Sequence, residues 1–197
     1  DLTSTTSPSQ SPSQMPTENT SKGSVTSCSY EYFATRDELK AVIDEYVSSG
    51  CNEGANVCPN ITSKYGWPMN SWCVGNVTDM SYLFREMRTF NEDVSSWDVS
   101  QVQNMSGIFS FASSFNGDVS LWNVSQVQDM SDMFVEASSF NGDLSSWNVS
   151  QVQNMRLMFF GASSFNRDLS SWDINMVRDL RFMFNRAPSF NQDLCEW

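Results

Sequence analysis

The sequence predicts an α/β solenoid, one short strand and one short helix in each 25-residue coil, closed at its N-terminal end by a helical, disulfide-stapled cap. Three observations carry that prediction. Tryptophan recurs at Trp72, Trp97, Trp122, Trp147, Trp172 and Trp197, an even period of 25 residues. The residues between successive tryptophans repeat a fixed apolar pattern. Cys28, Cys51, Cys58 and Cys73, four of the five cysteines, crowd the region before the array. A fixed period of this length marks an architecture in which each repeat touches only its neighbours.

Residues 1–27, beginning DLTSTTSPSQSPSQMPTENTS, are dense in Ser, Thr, Pro and Gln. Such composition cannot bury enough apolar surface to offset chain ordering, and it predicts a disordered linker or stalk, with or without O-linked sugar. Residues 28–71 read as the cap. Thr35-Arg36-Asp37-Glu38 is a capping box, and Leu39, Val42, Ile43, Tyr46 and Val47 follow at helical spacing until Gly50, predicting an amphipathic helix over 36–49. This helix would cover the open end of the first coil. The clustered cysteines, with no C-x-x-C pair and no His in the chain, favour disulfides over a metal site and hence an oxidising, extracellular compartment. Their connectivity stays open. Cys195 is expected to lack a partner within this sequence.

Residues 72–197 hold five repeats. Counting from each Trp, apolar columns fall at Val74, Val99, Val124, Val149 and Ile174, then at Val77, Val102, Val127, Val152 and Val177, then at Met80, Met105, Met130, Met155 and Leu180. Further columns begin at Leu83, Phe84 and Met87. From Val102 to Ala112 the spacing matches one face of a short helix, and Ser100-Gln101-Val102-Gln103 supplies a capping box for its start. A Gly/Asn/Asp turn then leads into a predicted short strand around Asp143-Leu144-Ser145-Ser146-Trp147. One coil alone cannot bury enough to offset the entropy of ordering its backbone, so stacking is part of the expected folding mechanism. The sequence reaches Trp197 with no C-terminal counterpart to the cap, and the expectation is an array that continues.

The formal charge of −12 is uneven. Arg156, Arg167, Arg178, Arg181 and Arg186 balance the acids of residues 150–197, so the excess lies in the first 149. An acidic, Lys-poor surface argues against nucleic acid and anionic membranes as partners. No apolar run is long enough to cross a bilayer or to form a signal-peptide core, so no direct membrane insertion is expected and the sequence is expected to begin after any such segment.

Laid out in columns, the pattern Trp-x-Val-Ser-x-Val-x-x-Met-x-x-Met-Phe-x-x-Ala-x-x-Phe-Asn-x-Asp-Leu-Ser over residues 65–197 is similar to the BspA-like surface-protein repeat. Phe33-Ala34-Thr35-Arg36-Asp37-Glu38-Leu39-Lys40 resembles what precedes such arrays. The resemblance implies a right-handed, leucine-rich-repeat-like solenoid on a secreted or cell-surface protein, used for adhesion or recognition. It implies no catalytic residues. Asn175, Leu180 and Pro188 depart from the pattern in the last repeat.

Several columns admit chemistry. The Trp column reads as core, with an exposed sugar-stacking ribbon as the alternative. Asn91, Asn116, Asn141, Asn166 and Asn191 read as an internal ladder bonding adjacent coils. Asp93, Asp118, Asp143, Asp168 and Asp193 read as local turn acceptors, with a calcium column as the alternative. Sequons stand at Asn19, Asn60, Asn76, Asn104, Asn123 and Asn148, of which Asn60, placed in a cap loop, is the preferred glycan acceptor. The leading expectation is a non-enzymatic extracellular module binding a protein or glycan on one solenoid face. The alternative is a structural or ordered-surface protein, for which Ser95, Ser120, Ser145 and Ser170 supply an aligned hydroxyl column. An enzyme ranks third: the acids are periodic rather than paired in a cleft, and no cofactor or metal is assigned.

Overall fold

A computed structural model describes residues 28–195 and 197. The predicted stalk, with Asn19, lies outside the described residues. Helix α1 spans Arg36–Ser48. Thr35 Oγ1 accepts the Glu38 N–H at 3.2 Å, and the Glu38 carboxylate accepts the Ala34 N–H at 2.9 Å, so the cap is reciprocal but reaches one residue further back than a standard capping box. Gly50, at φ 70°, turns the chain in the left-handed region just after the helix. Leu39, Ile43 and Tyr46 are buried, whereas Val47 is exposed. A second helix not foreseen from the sequence, α2, spans Pro59–Tyr65 and opens with proline, whose missing N–H costs nothing at a helix start.

The disulfides are Cys28–Cys73 and Cys51–Cys58. The first crosses from the cap to the residue after Trp72. Beside it the Phe33 N–H donates to the Cys73 carbonyl at 3.1 Å. Phe33, Tyr46 and Tyr65 then surround the Trp72 ring at 5.4, 5.3 and 6.4 Å. Arg36 Nε donates to the Ser81 carbonyl at 2.8 Å, filling a position that a preceding repeat would otherwise occupy. The cap thus supplies both aromatic cover and a backbone partner to the first repeat.

The repeats are numbered 1 (72–96), 2 (97–121), 3 (122–146), 4 (147–171) and 5 (172–196). Met80, Tyr82, Phe84 and Glu86 donate backbone N–H bonds to the carbonyls of Asn104, Ser106, Ile108 and Ser110 at 2.8–2.9 Å. The same four donors recur at each later junction, for example Met130, Asp132, Phe134 and Glu136 to Asn154, Arg156, Met158 and Phe160. Parallel bridges join Asp79, Asn104, Asp129, Asn154 and Asp179 in sequence. Donors that do not cross between repeats close tight turns: Val102 N–H to Val99, Ile108 to Met105, Ala112 to Phe109 and Phe115 to Ala112.

These turns correct the predicted elements. Among the described residues of the repeats there is no α-helix and no extended strand. Successive four-residue turns return an apolar side chain inward at intervals of three and four, the same spacing a helix produces. They free alternate N–H groups for the neighbouring repeat instead of the residue four back. Ser100 is therefore not a helix cap; its N–H donates to Asp98 Oδ1 at 3.1 Å. Asp143–Trp147 is likewise a turn, closed by the Trp147 N–H on the Leu144 carbonyl at 3.1 Å.

Aromatic columns form the core. Phe109, Phe134, Phe159 and Phe184 stack from repeat to repeat at 5.6–5.7 Å, and Phe115, Phe140, Phe165 and Phe190 at 5.9–6.0 Å. The two columns touch within each repeat, as at Phe109 and Phe115, 3.8 Å apart. The periodic tryptophans do two things. The rings of Trp97, Trp122, Trp147 and Trp172 are buried and that of Trp197 partly so, and each indole N–H donates backward along the chain: Trp97 to Met69 of the cap, then Trp122 to Val94, Trp147 to Val119, Trp172 to Leu144 and Trp197 to Leu169 of the preceding repeat, at 2.9–3.1 Å. Replacing Trp122 by Phe should keep most of the packing and remove one of the two bonds that the Val94 carbonyl accepts, leaving the Trp97 backbone N–H at 3.2 Å. The expected loss is about 0.5–1.5 kcal/mol in urea unfolding; an unchanged midpoint would show that the indole bond carries no stability.

Candidate functional site

Trp72, Trp97, Trp122, Trp147 and Trp172 are only 3–4% exposed, which removes the sugar-stacking ribbon. The Asn column is a ladder, but on the surface rather than inside. Each Oδ1 accepts the backbone N–H of the next: Asn116 to Asn91, Asn141 to Asn116, Asn166 to Asn141 and Asn191 to Asn166, at 2.8–3.0 Å.

The Asp column closes local turns. Asp93, Asp118, Asp143, Asp168 and Asp193 accept the N–H groups of Ser95, Ser120, Ser145, Ser170 and Cys195 at 2.9–3.0 Å. The Ser120, Ser145 and Ser170 N–H groups hold Asp118, Asp143 and Asp168 below the ordinary carboxylate range. Among the described residues no three His, Cys, Asp or Glu side chains converge in a group suited to a metal ion. Two further columns use the same device: Ser81 on Asp79 and Ser106 on Asn104 in one, Ser125 on Asn123 and Ser150 on Asn148 in the other. Asn60, Asn76, Asn123 and Asn148 are exposed, and Asn104 is half-buried beside the inter-repeat bonds. Asn60 lies in the first turn of α2 rather than in a loop. Cys195 is exposed and free.

What sequence reasoning missed lies between the constant columns. Counting from each Trp, three positions differ in nearly every repeat. They are Tyr82/Gly107/Asp132/Leu157/Phe182, Arg85/Ser110/Val135/Phe160/Asn185 and Glu86/Phe111/Glu136/Gly161/Arg186. All three belong to the segment whose backbone is bonded across repeats, so the structure sets them side by side as one face. Two of the columns hold left-handed backbone, with φ 57° at Tyr82 and Asp132 and 64° and 53° at Glu86 and Glu136. That conformation costs a non-glycine residue about 1 kcal/mol and persists only where surrounding bonds over-determine it. Here the flanking ladder does so. It also relieves these side chains of core duty, which leaves their identity free to vary.

Side chains on this face meet across repeats. Arg85 lies over the Tyr82 ring at 5.5 Å, and the same ring covers Gly107 so closely that a Cβ there would stand 2.3 Å from Tyr82 Cε1. The Glu136 carboxylate rests on Gly161, and Arg186 lies over Phe160 at 5.4 Å. Burial pushes the Asp132 carboxyl up, opposed by the charges of Arg156 and Arg85. Phe182 is 58% exposed. Aromatic rings, arginines and carboxylates are interspersed on this face.

Fold and face together define an acidic, disulfide-capped repeat protein whose constant columns hold the stack and whose variable columns line one side. The chain belongs to the family described as Mycoplasma protein of unknown function, DUF285, which matches over residues 30–134, 56–159 and 116–197. The overlap of the three matches follows from the period, since a window of several repeats can be set down at more than one register. No curated protein and no solved structure matches the chain.

The Asp turns generate an acid response. A carboxylate whose folded pKa is depressed contributes stability that is present above its unfolded value, near pH 4, and is lost as pH falls through the folded value. The thermal midpoint should therefore drop from about pH 4 downward. Asp118→Asn keeps the Oδ1 acceptor without its charge and should melt below wild type at pH 7 and close to it at about pH 2, so that its acid drop is smaller; Asp118→Ala, with no acceptor, should lower the midpoint at both pH values. Equal midpoints for all three proteins at both pH values would show that these turns do not matter.

Proposed function

We propose that the chain is a non-enzymatic extracellular or cell-surface recognition module of the BspA-like type, its repeats stacked as a leucine-rich-repeat-like solenoid, and that it binds a protein or glycan through the variable face. The concentration of repeat-to-repeat variation on that face carries the reading. Core, ladder and turn positions barely change from repeat to repeat, whereas three adjacent columns change at nearly every step. Two disulfides, and the absence of any helix long and apolar enough to cross a membrane among the described residues, are compatible with an extracellular location. Partner recognition would come from rings and charges displayed together on a rigid backbone.

A panel of purified extracellular proteins and a glycan array, both probed with the multimerised chain, test this. Leu157→Asp and Phe160→Asp should weaken binding about tenfold or more, since each sets a charge in the apolar part of the face. Ser145→Ala, away from the face, should bind as wild type does. Binding that is indifferent to both face substitutions would place recognition elsewhere.

A further inference from the structure

The variable face has a charge order of its own. Repeat 3 contributes Asp132 and Glu136, repeat 4 contributes Leu157, Phe160 and Gly161, and repeat 5 contributes Phe182 and Arg186. Acid, apolar and base therefore follow one another along the stack. Glu136, Gly161 and Arg186 occupy one column, and Glu136 and Arg186 form no ion pair with each other within the chain. Gly161 carries no side chain, and the Glu136 carboxylate rests over it.

From this order we propose that the occupant of the face is a second copy of this chain, docked face to face and antiparallel about a two-fold axis through repeat 4. An in-plane axis running across the stack at repeat 4 sets repeat 3 of one copy against repeat 5 of the other, with column facing like column. Glu136 then meets the partner's Arg186 and Arg186 meets the partner's Glu136, while Leu157 and Phe160 meet their own counterparts at the centre. The other in-plane axis, along the stack, sets repeat 3 on repeat 3 and brings four carboxylates together. With a net charge of −12 opposing self-association, the register across the stack is the favourable one of the two, since it pairs Glu136 with Arg186 and sets Asp132 against an apolar ring rather than against further carboxylates. Arg156, near the axis, has Asp132 beside it and so does not stand alone against its symmetry mate.

The patch is small. Adjacent repeats are about 5.6 Å apart by their stacked rings, so three repeats present well under the roughly 800 Å² per partner of a stable interface, and the dimer is weak. Homophilic contact of this kind rests on the recognition reading above, from which it takes the face.

Sedimentation equilibrium of the chain up to millimolar concentration tests it. Wild type should self-associate reversibly. Glu136→Arg alone and Arg186→Glu alone should each weaken association about tenfold or more, because each replaces two attractive contacts by two repulsive ones. A 1:1 mixture of the two variants should recover association as a heterodimer, and so should the double variant. Circular dichroism confirms that each variant is folded. Wild type that stays monomeric, single variants that associate as well as wild type, or a mixture that does not recover would each overturn the homophilic contact. A monomeric wild type that still binds a panel member through Leu157 and Phe160 would overturn it while leaving the recognition reading intact.

Discussion

Alternate backbone N–H groups in each repeat look outward along the stack, and the repeat beyond must present a carbonyl at the same height. That requirement governs the rest of the molecule. It fixes the repeat length, because Met80, Tyr82, Phe84 and Glu86 find acceptors only if the next repeat returns after the same number of residues. It also explains why no regular element is needed: a group bonded to the next repeat cannot bond within a helix, and the remaining donors close turns of four residues. Polar side chains complete the same accounting, with Asp and Asn receiving turn N–H groups and the indoles receiving no bond but giving one to the repeat behind.

The cap follows from the same constraint. A stack held by bonds between neighbours has an unpaired first repeat, and the structure answers with Arg36 on the Ser81 carbonyl, Phe33 on the Cys73 carbonyl and three aromatic rings around Trp72. The Cys28–Cys73 disulfide ties these contacts covalently across the junction. At the other end, Ile174, Val177, Leu180 and Phe184 are less buried than their counterparts in the middle repeats, because nothing among the described residues covers repeat 5.

Much of this was legible in the sequence. The period, the apolar columns, helix α1 and the acidic turn column all follow from residue type and spacing. The repeat helix did not follow, for a physical reason: Val102, Met105, Ile108, Phe109 and Ala112 carry helical spacing, but tight turns in series return side chains to the core at the same intervals. Pattern alone cannot say whether an N–H bonds four residues back or to the next repeat. The left-handed positions were equally hidden. Only Gly107 and Gly161 hint at them, while Tyr82, Asp132, Leu157 and Phe182 adopt the same conformation with side chains that ordinarily avoid it. The variable face was missed because constant columns draw attention first, although the differences among Arg85, Ser110, Val135, Phe160 and Asn185 were visible in the same alignment of repeats.

The variable side chains hold a fixed arrangement because the backbone that carries them is pinned from both sides. Amide hydrogen exchange tests that directly. Met130, Asp132, Phe134 and Glu136, each bonded to the next repeat, should exchange slowly, near the rate set by global unfolding. Leu180, Phe182, Phe184 and Arg186, the same positions without a following partner among the described residues, should exchange orders of magnitude faster. Equal exchange at the two sets would contradict the claim that bonds between repeats hold this fold.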